Sequence, residues 1–405
     1  MSFTKGIKSI LRRNADDVVI VSAIRTPITK AKKGGLAKSY PEELLAAIVK
    51  QTLKLTAIDP RYIEDVAVGT VLQALGGQKT SAMAIKYAGL PHTSTLHTVN
   101  RQCSSSAQAV TNIAQGIFSK QLACGLAAGV ESMTMDYFET RGIPNRTSPM
   151  IASSTVQEAL DVLMPMGRTS ENVSQEYNIS RADQDEFALA SHMKAHAAQK
   201  NNWFTEIVPI EVQETATSAT TVVDRDDGVR SSLTLDKLAS LPPAFGKGGL
   251  TTAGNASQIS DGASAILLMS RQRASELGLK PIGKFVNSTV AGVPSNIMGI
   301  APALAVPKLL SLTGLGKNDI DLWELNEAFA SQSLHVIRQL DLDMNRINVH
   351  GGAIALGHPL GATGGRCIAT LLASMARLGK ELGIVSMCAS TGQGYAALFV
   401  NEVFE

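Results

Sequence analysis

Apolar and polar positions along the 405-residue chain fall into two alternating kinds of segment. Short β-branched runs such as VVIVSAI (18–24) and VAVGTVL (66–72) carry no helical period, whereas PEELLAAIVKQTLKL (41–55) repeats apolar residues at three- and four-residue spacing. The first kind predicts strands and the second predicts helices laid across them, which argues for a parallel sheet covered by helices in an α/β architecture. Residues 136–252 break this rhythm: they are polar and irregular, with one helix predicted to open at Ser180-Arg181-Ala182-Asp183. The alternation restarts after about residue 282 with DIDLWELNEAFA, the Gly-rich HGGAIALGHPLGATGG, a helix whose Ile368, Leu371, Leu372 and Met375 share a face, and GIVSMCAS leading to YAALFV. Both parts follow the same coarse order of strand, loop and helix, so a pseudo-duplicated α/β fold is expected. Its first half spans 16–135 and is completed by about 253–280; its second spans 281–405, with 136–252 as an inserted loop region.

Residues 1–15 form an N-terminal extension without acids. It carries Lys5, Lys8, Arg12 and Arg13, with Phe3, Ile7, Ile10 and Leu11 at helical spacing. A targeting helix and a surface helix or frayed terminus both fit that pattern. The C-terminal NEVFE is not an S-K-L type of address. With 44% hydrophobic and 18% charged residues the chain can bury a sizeable core. A formal net charge of +2 gives no bias toward nucleic acid or acidic membranes, and no apolar run approaches the length of a membrane span. Small molecules and other subunits are therefore the expected partners. The 4 cysteines, Cys103, Cys124, Cys367 and Cys388, are too scattered for a disulfide framework and form no C-x-x-C pair, so a reducing compartment and no structural metal are expected.

One of those cysteines has a suggestive setting. Val110, Ile113, Ala114 and Ile117 fall on one helical stripe after Cys103, which places the thiol at or just before a helix start. Free N–H groups and the positive helix end there favour a thiolate over the thiol, whose unperturbed pKa is about 8.5. A small buried apolar residue is the alternative reading. Two further candidates are His358, between a glycine and a proline in GHPLG, and Cys388, at the end of a strand-like run before TGQG. GQGYAA (392–397) matches G-x-G-x-x-A but leads into an apolar strand-like run instead of a helix, which argues against a dinucleotide site.

Taken together, NRQCSSS (100–106), GVESMT (129–134), TTAGNASQISDGA (251–263), NEAF (326–329), GGAIALGHPLG (351–361) and SMCASTGQG (386–394) resemble the thiolase family in order and spacing, over nearly the whole chain from about residue 16. MPMGRTSENV (164–173), SRADQDEFA (180–188) and VPSNIMGIAP (293–302) look most like the degradative 3-ketoacyl-CoA thiolases of eukaryotic peroxisomes. The resemblance implies a thiolase fold, two mixed-sheet halves in α-β-α-β-α layers, and thiolytic cleavage of 3-ketoacyl-CoA in fatty acid β-oxidation. It implies Cys103 as the nucleophile, His358 as the base that takes its proton, and Cys388 as the acid and base at the substrate α-carbon. Asn326 and His358 would form one oxyanion hole, through a water on Asn326; the backbone N–H groups of Cys103 and Ser390 would form the other.

Coenzyme A, a substrate and not a resident cofactor, would lie along the inserted region, with Arg230 near the adenine and Met166, Ala253, Ser257 and Phe329 lining the pantetheine channel. Lys237 would meet a CoA phosphate or remain solvated, and Glu327 would orient water or be a solvated carboxylate. The implied partners are acyl-CoA, CoA, a second or further copies in a homodimer or homotetramer, and a peroxisomal import receptor. Peroxisome is the implied location, with mitochondrial matrix and cytoplasm left open. The alternative activities are a biosynthetic acetoacetyl-CoA thiolase, a condensing enzyme of secondary metabolism, and a catalytically impaired acyl-CoA-binding protein. Two departures bear on that last reading, because Ser106 and Ser390 stand where the family usually has glycine. A left-handed backbone at either would cost roughly 1–2 kcal/mol; otherwise their hydroxyls would reach the pocket and alter acyl specificity.

Overall fold

The computed structural model describes residues 5–213, 217 and 219–403. Its main strands are β1 (Val18–Arg25), β2 (Asp65–Gly69), β3 (Thr95–Val99), β4 (Cys124–Ser132), β5 (Ser260–Ser270), β6 (Gly283–Gly292), β7 (Leu322–Leu325), β8 (Leu382–Ala389) and β9 (Gln393–Asn401). They run in the order β7-β8-β9-β6-β1-β5-β4-β2-β3. The main helices are α1 (Pro41–Thr56), α2 (Gln78–Tyr87), α3 (Ser105–Phe118), α4 (Met166–Glu176), α5 (Arg181–Lys200), α6 (Pro302–Thr313), α7 (Ala330–Leu340) and α8 (Thr363–Leu378).

The sheet is mixed, as the resemblance implies; the strand–helix alternation alone suggested a parallel sheet. Among the main strands, parallel pairing joins β2 with β3 and β4, and β7 with β8. In each half an antiparallel strand follows the parallel pair, β5 against β4 and β9 against β8. Each then pairs antiparallel with a first strand, β5 with β1 and β9 with β6. The duplication is thus visible as a repeated pairing pattern, and β1 meets β6 where the halves join.

Alternate residues of these strands enter different cores. Val18 and Ile20 of β1, Val385 and Met387 of β8, and Tyr395, Ala397 and Phe399 of β9 pack with α3 and α8 in a central layer. Val19, Leu126 and Leu267 face α1 and α2 on one outer side. Ile384, Leu398 and Trp323 face α6 and α7 on the other. This gives α-β-α-β-α layering, and burial on both faces explains why the strands read as continuous apolar runs.

Parts of the chain that lacked periodicity are held by polar contacts. The predicted helix start at Ser180 is real: its hydroxyl accepts the Asp183 N–H at 3.1 Å, opening α5. Fully buried Arg25 pairs with Asp226 at 2.7 and 2.9 Å and with Glu206 at 3.1 Å, tying the inserted region to β1. At the N-terminus, residues Ile7–Leu11 form a short helix whose Ile10 is buried beside Leu309 and Trp323, while Lys5, Lys8, Arg12 and Arg13 are exposed. Phe3 lies outside the described residues.

Candidate active site

Loops leaving the C-terminal ends of β3, β7 and β8 converge with the Gly-rich loop before α8, the usual position for chemistry on parallel strands. Cys103 lies just before Ser104, the N-cap of α3, and is 7% exposed. Its sulfur faces the backbone N–H groups of Ser390 and of Cys103 itself. Burial nevertheless outweighs those donors, and with the nearby charge of Glu131 it pushes the thiol up to about 11. Burial thus outweighs the stabilisation that the helix start offers a thiolate, and favours Cys103 as a thiol, the form from which His358 would take a proton.

The buried His358 is held at both ends of its residue. Its backbone N–H donates to Gln258 O at 3.0 Å, and its Nδ1 lies 2.7 Å from Thr363 Oγ1. The Thr363 hydroxyl donates to Pro359 O at 3.1 Å, so Nδ1 carries the proton and donates to Thr363. That tautomer leaves Nε2 with a free lone pair, and Nε2 is buried without a protein partner. Burial, aided by the Arg366 guanidinium, pushes the imidazole down to about 3, so it is neutral at rest.

Cys388, on β8, is fully buried, and its pKa is driven far upward by burial and by repulsion from Cys103. The two thiols thus lie within electrostatic reach of each other. Asn326 is also fully buried, and neither its Oδ1 nor its Nδ2 has a partner among the described residues. Such an amide fits a polar group or water that it must receive from outside the chain.

The neighbouring Glu327 behaves otherwise than expected. It is buried, accepting Ser191 Oγ at 2.7 Å, Asn348 Nδ2 at 2.8 Å and Ile354 N at 3.2 Å. With its oxygens occupied in this way it braces α5 against the Gly-rich loop, and it neither faces solvent nor points at the thiols. Lys237 is exposed and closes its own turn, donating to Ser232 O at 2.9 Å.

Neither serine is strained. The left-handed residues nearby are Gln102 (φ 50°), Thr391 (φ 67°) and Gly392 (φ 77°), not Ser106 or Ser390. Ser106 Oγ accepts the Gly365 N–H at 2.8 Å, so this hydroxyl ties α3 to the first turn of α8 instead of entering a pocket. The Ser390 N–H keeps its aim at Cys103.

An apolar cluster surrounds the second thiol. Cys388 packs with Met298, Ala328 and Phe329, and Met166, Phe245 and Ala256 cover them. Met166 and Phe329 are therefore brought to the cluster around Cys388. Ser257 joins through its N–H to Ala328 O at 3.0 Å. Ala253 and Arg230 are exposed outside the cluster, and the Arg230 N–H donates to His192 Nδ1 at 3.2 Å.

Glu131 is a site residue to which the sequence reading gave no role. Fully buried, it accepts the N–H groups of Val71, Leu72 and Gly361 at 3.0, 3.1 and 2.9 Å, and so joins the loop after β2 to the His358 loop. Burial pushes its carboxyl up to about 7 despite those donors. Its only sequence signal is its place in GVESMT. Among the described residues no group of three or more His, Cys, Asp or Glu side chains could hold a metal ion, and no helix is long and apolar enough to cross a membrane.

Comparison with known proteins agrees with this geometry. The thiolase N-terminal domain matches residues 18–272 and the thiolase C-terminal domain residues 279–401. The peroxisomal 3-ketoacyl-CoA thiolase B of Rattus norvegicus is 47% identical over 95% of this chain and 91% of its own length. The crystal structure of the dimeric peroxisomal thiolase of Saccharomyces cerevisiae superposes with a TM-score of 0.92 at 41% identity, covering 98% of this chain and all of that one. An acetyl-CoA acetyltransferase of Bacillus anthracis superposes with a TM-score of 0.86 at 38% identity, covering 95% of this chain and 98% of its own. The chain belongs to the thiolase family.

Proposed function

We infer that the protein is a degradative 3-ketoacyl-CoA thiolase, an acyltransferase that cleaves 3-ketoacyl-CoA with CoA into acetyl-CoA and a shortened acyl-CoA. The observation that carries this reading is a pair of buried thiols within electrostatic reach of each other, together with two buried polar groups that have no partner among the described residues, His358 Nε2 and the Asn326 amide. Cys103 attacks the 3-keto carbon and passes its proton to His358 Nε2, whose free lone pair is ready to receive it. The oxyanion on that carbon is held by the Cys103 and Ser390 N–H groups, while the protonated Nε2 and a water on Asn326 hold the thioester oxygen on which the charge of the departing enolate develops. The Cα–Cβ bond breaks, its electron pair goes to Cα, and Cys388 supplies the proton that completes acetyl-CoA. In the second half, the Cys388 thiolate takes the proton of an incoming CoA thiol, which attacks the acyl thioester while the Cys103 and Ser390 N–H groups hold the oxyanion; the Cys103–acyl bond then breaks, and the Cys103 thiolate recovers its proton from His358 Nε2.

A resting site in which Cys103 and Cys388 are both thiols suits this order, since each begins by giving up a proton. Met166, Phe329, Ser257 and Ala253 line the pantetheine path in this proposal, with Arg230 near the adenine and 136–252 as the CoA-binding insertion. CoA serves as a substrate, with no resident cofactor or metal in the scheme. The names of the relatives support a peroxisomal homodimer. The impaired acyl-CoA-binding alternative invokes Ser106 and Ser390; it is disfavoured because neither has a left-handed backbone and the Ser390 N–H faces Cys103. Steady-state thiolysis measured on four-carbon, medium-chain and long-chain 3-ketoacyl-CoA tests the reading. Faster turnover of the longer substrates is expected; activity confined to acetoacetyl-CoA would move the assignment to the biosynthetic class.

A further inference from the structure

A side chain that the mechanism above does not use touches the acid/base thiol. Gln332, in the first turn of α7, is 1% exposed. Its Oε1 accepts the backbone N–H of Ala328 at 3.0 Å and lies 3.9 Å from Cys388 Sγ, within reach of the S–H. The Ala328 N–H can only donate, so the oxygen of the amide, and not its nitrogen, is fixed in that corner. An acceptor placed there bonds a thiol but offers nothing to a thiolate. Nε2 is buried with no partner, so no contact on the nitrogen competes to rotate the amide.

The stem of Gln332 is equally confined. Gly299, in the VPSNIMGIAP loop, leaves the space it occupies: a Cβ at that glycine would lie 2.5 Å from Gln332 Cβ. Real Cβ contacts are not that short, so any larger residue at 299 displaces the glutamine or its helix.

We propose that Gln332 is the positioning residue for Cys388: its carbonyl fixes the sulfur and keeps it protonated until the substrate carbanion forms, and Gly299 provides the space this amide requires. The proton then moves from sulfur to Cα, leaving a thiolate that is neutralised by the proton of the incoming CoA thiol. In the reverse sense Cys388 gives its proton to the CoA that leaves as Cys103 is acylated, the resulting thiolate removes an α-proton from acetyl-CoA, and the amide carbonyl receives the new S–H. This inference rests on the thiolase reading above.

Two reactions separate the roles. Deuteration of the acetyl-CoA α-carbon in D2O reports on Cys388, while acylation of Cys103 by p-nitrophenyl acetate has a leaving group that needs no proton and reports on Cys103 with His358. Gln332→Leu and Gly299→Ala are each expected to slow deuteration by roughly ten- to a hundredfold while leaving acylation within about twofold of wild type. Equal losses in both reactions would make Gln332 a structural residue only, and unchanged deuteration would make it idle; either overturns the proposal. If the wild-type protein performs neither reaction, the thiolase reading itself fails, an outcome distinct from both.

Discussion

Replacing Ser106 by alanine removes its hydroxyl oxygen and keeps its Cβ. Its Oγ accepts the Gly365 N–H at 2.8 Å, in the first turn of α8, where no intrahelical carbonyl is available and the N-cap, Ala362, has no side-chain acceptor. Removing Oγ leaves that N–H buried and unpaired, at a cost of about 1–3 kcal/mol. The better helix propensity of alanine returns about 0.5 kcal/mol, for a net loss of about 0.5–2.5 kcal/mol. With a urea dependence of about 3 kcal/mol per molar for a chain of this size, the unfolding midpoint should fall by roughly 0.2–0.8 M. Fluorescence of Trp203 and Trp323 follows the transition, and kcat/KM for four-carbon and longer substrates is measured on the same variant. The ratio of those two values should not change, because the hydroxyl is spent between two helices. An unchanged midpoint, or a shifted chain-length preference without loss of stability, would refute the reasoning.

Glu131 provides a test by pH. Its folded-state pKa of about 7 lies above the 4.5 of an unperturbed glutamate, so its contribution is fully present below about 4.5 and lost as pH rises through 7. Between pH 5 and pH 8 wild type should lose roughly 2–3 kcal/mol relative to Glu131→Gln, read as a narrowing or reversal of the gap between their urea midpoints; parallel pH curves would contradict it. His192 holds the Arg230 backbone at 3.2 Å, so His192→Leu should raise KM for CoA about three- to tenfold with little change in kcat, while His192→Gln, which keeps an acceptor, should restore part of it. A fall in kcat at constant KM would remove Arg230 from the CoA site.

Apolar periodicity located the regular elements well where apolar packing holds them. PEELLAAIVKQTLKL became α1 and VVIVSAI became β1, while the stripe Val110, Ile113, Ala114 and Ile117 is buried in the central layer. VAVGTVL was read too long: the strand ends at Gly69 because the N–H groups of Val71 and Leu72 turn to Glu131 instead of a neighbouring strand. Helix α4 escaped notice for a similar reason. Its buried face includes Thr169, Ser170 and Ser174, and Ser170 pairs with Thr251 and Ser331 at 2.8 Å, so a count of apolar residues cannot find it.

The site shows the same division. Chemistry-bearing side chains could be named from motifs, but their protonation could not, because it depends on burial: the helix start at Cys103 pointed to a thiolate, and desolvation reversed that balance. Glu327 and Gln332 look alike in sequence as polar residues near NEAF. Only the fold reveals that one braces the Gly-rich loop through Ile354 and Asn348 while the other touches Cys388. Arg25, Glu206 and Asp226 meet across nearly half the chain, a contact that no local pattern encodes.

Intact-protein mass spectrometry after mixing with acetoacetyl-CoA or a medium-chain 3-ketoacyl-CoA, followed by peptide mapping, tests the central claim most directly. An acyl adduct on Cys103 that CoA discharges, and that is absent in Cys103→Ala, is the predicted result. An adduct on another residue, or CoA binding without any adduct, would contradict the covalent mechanism.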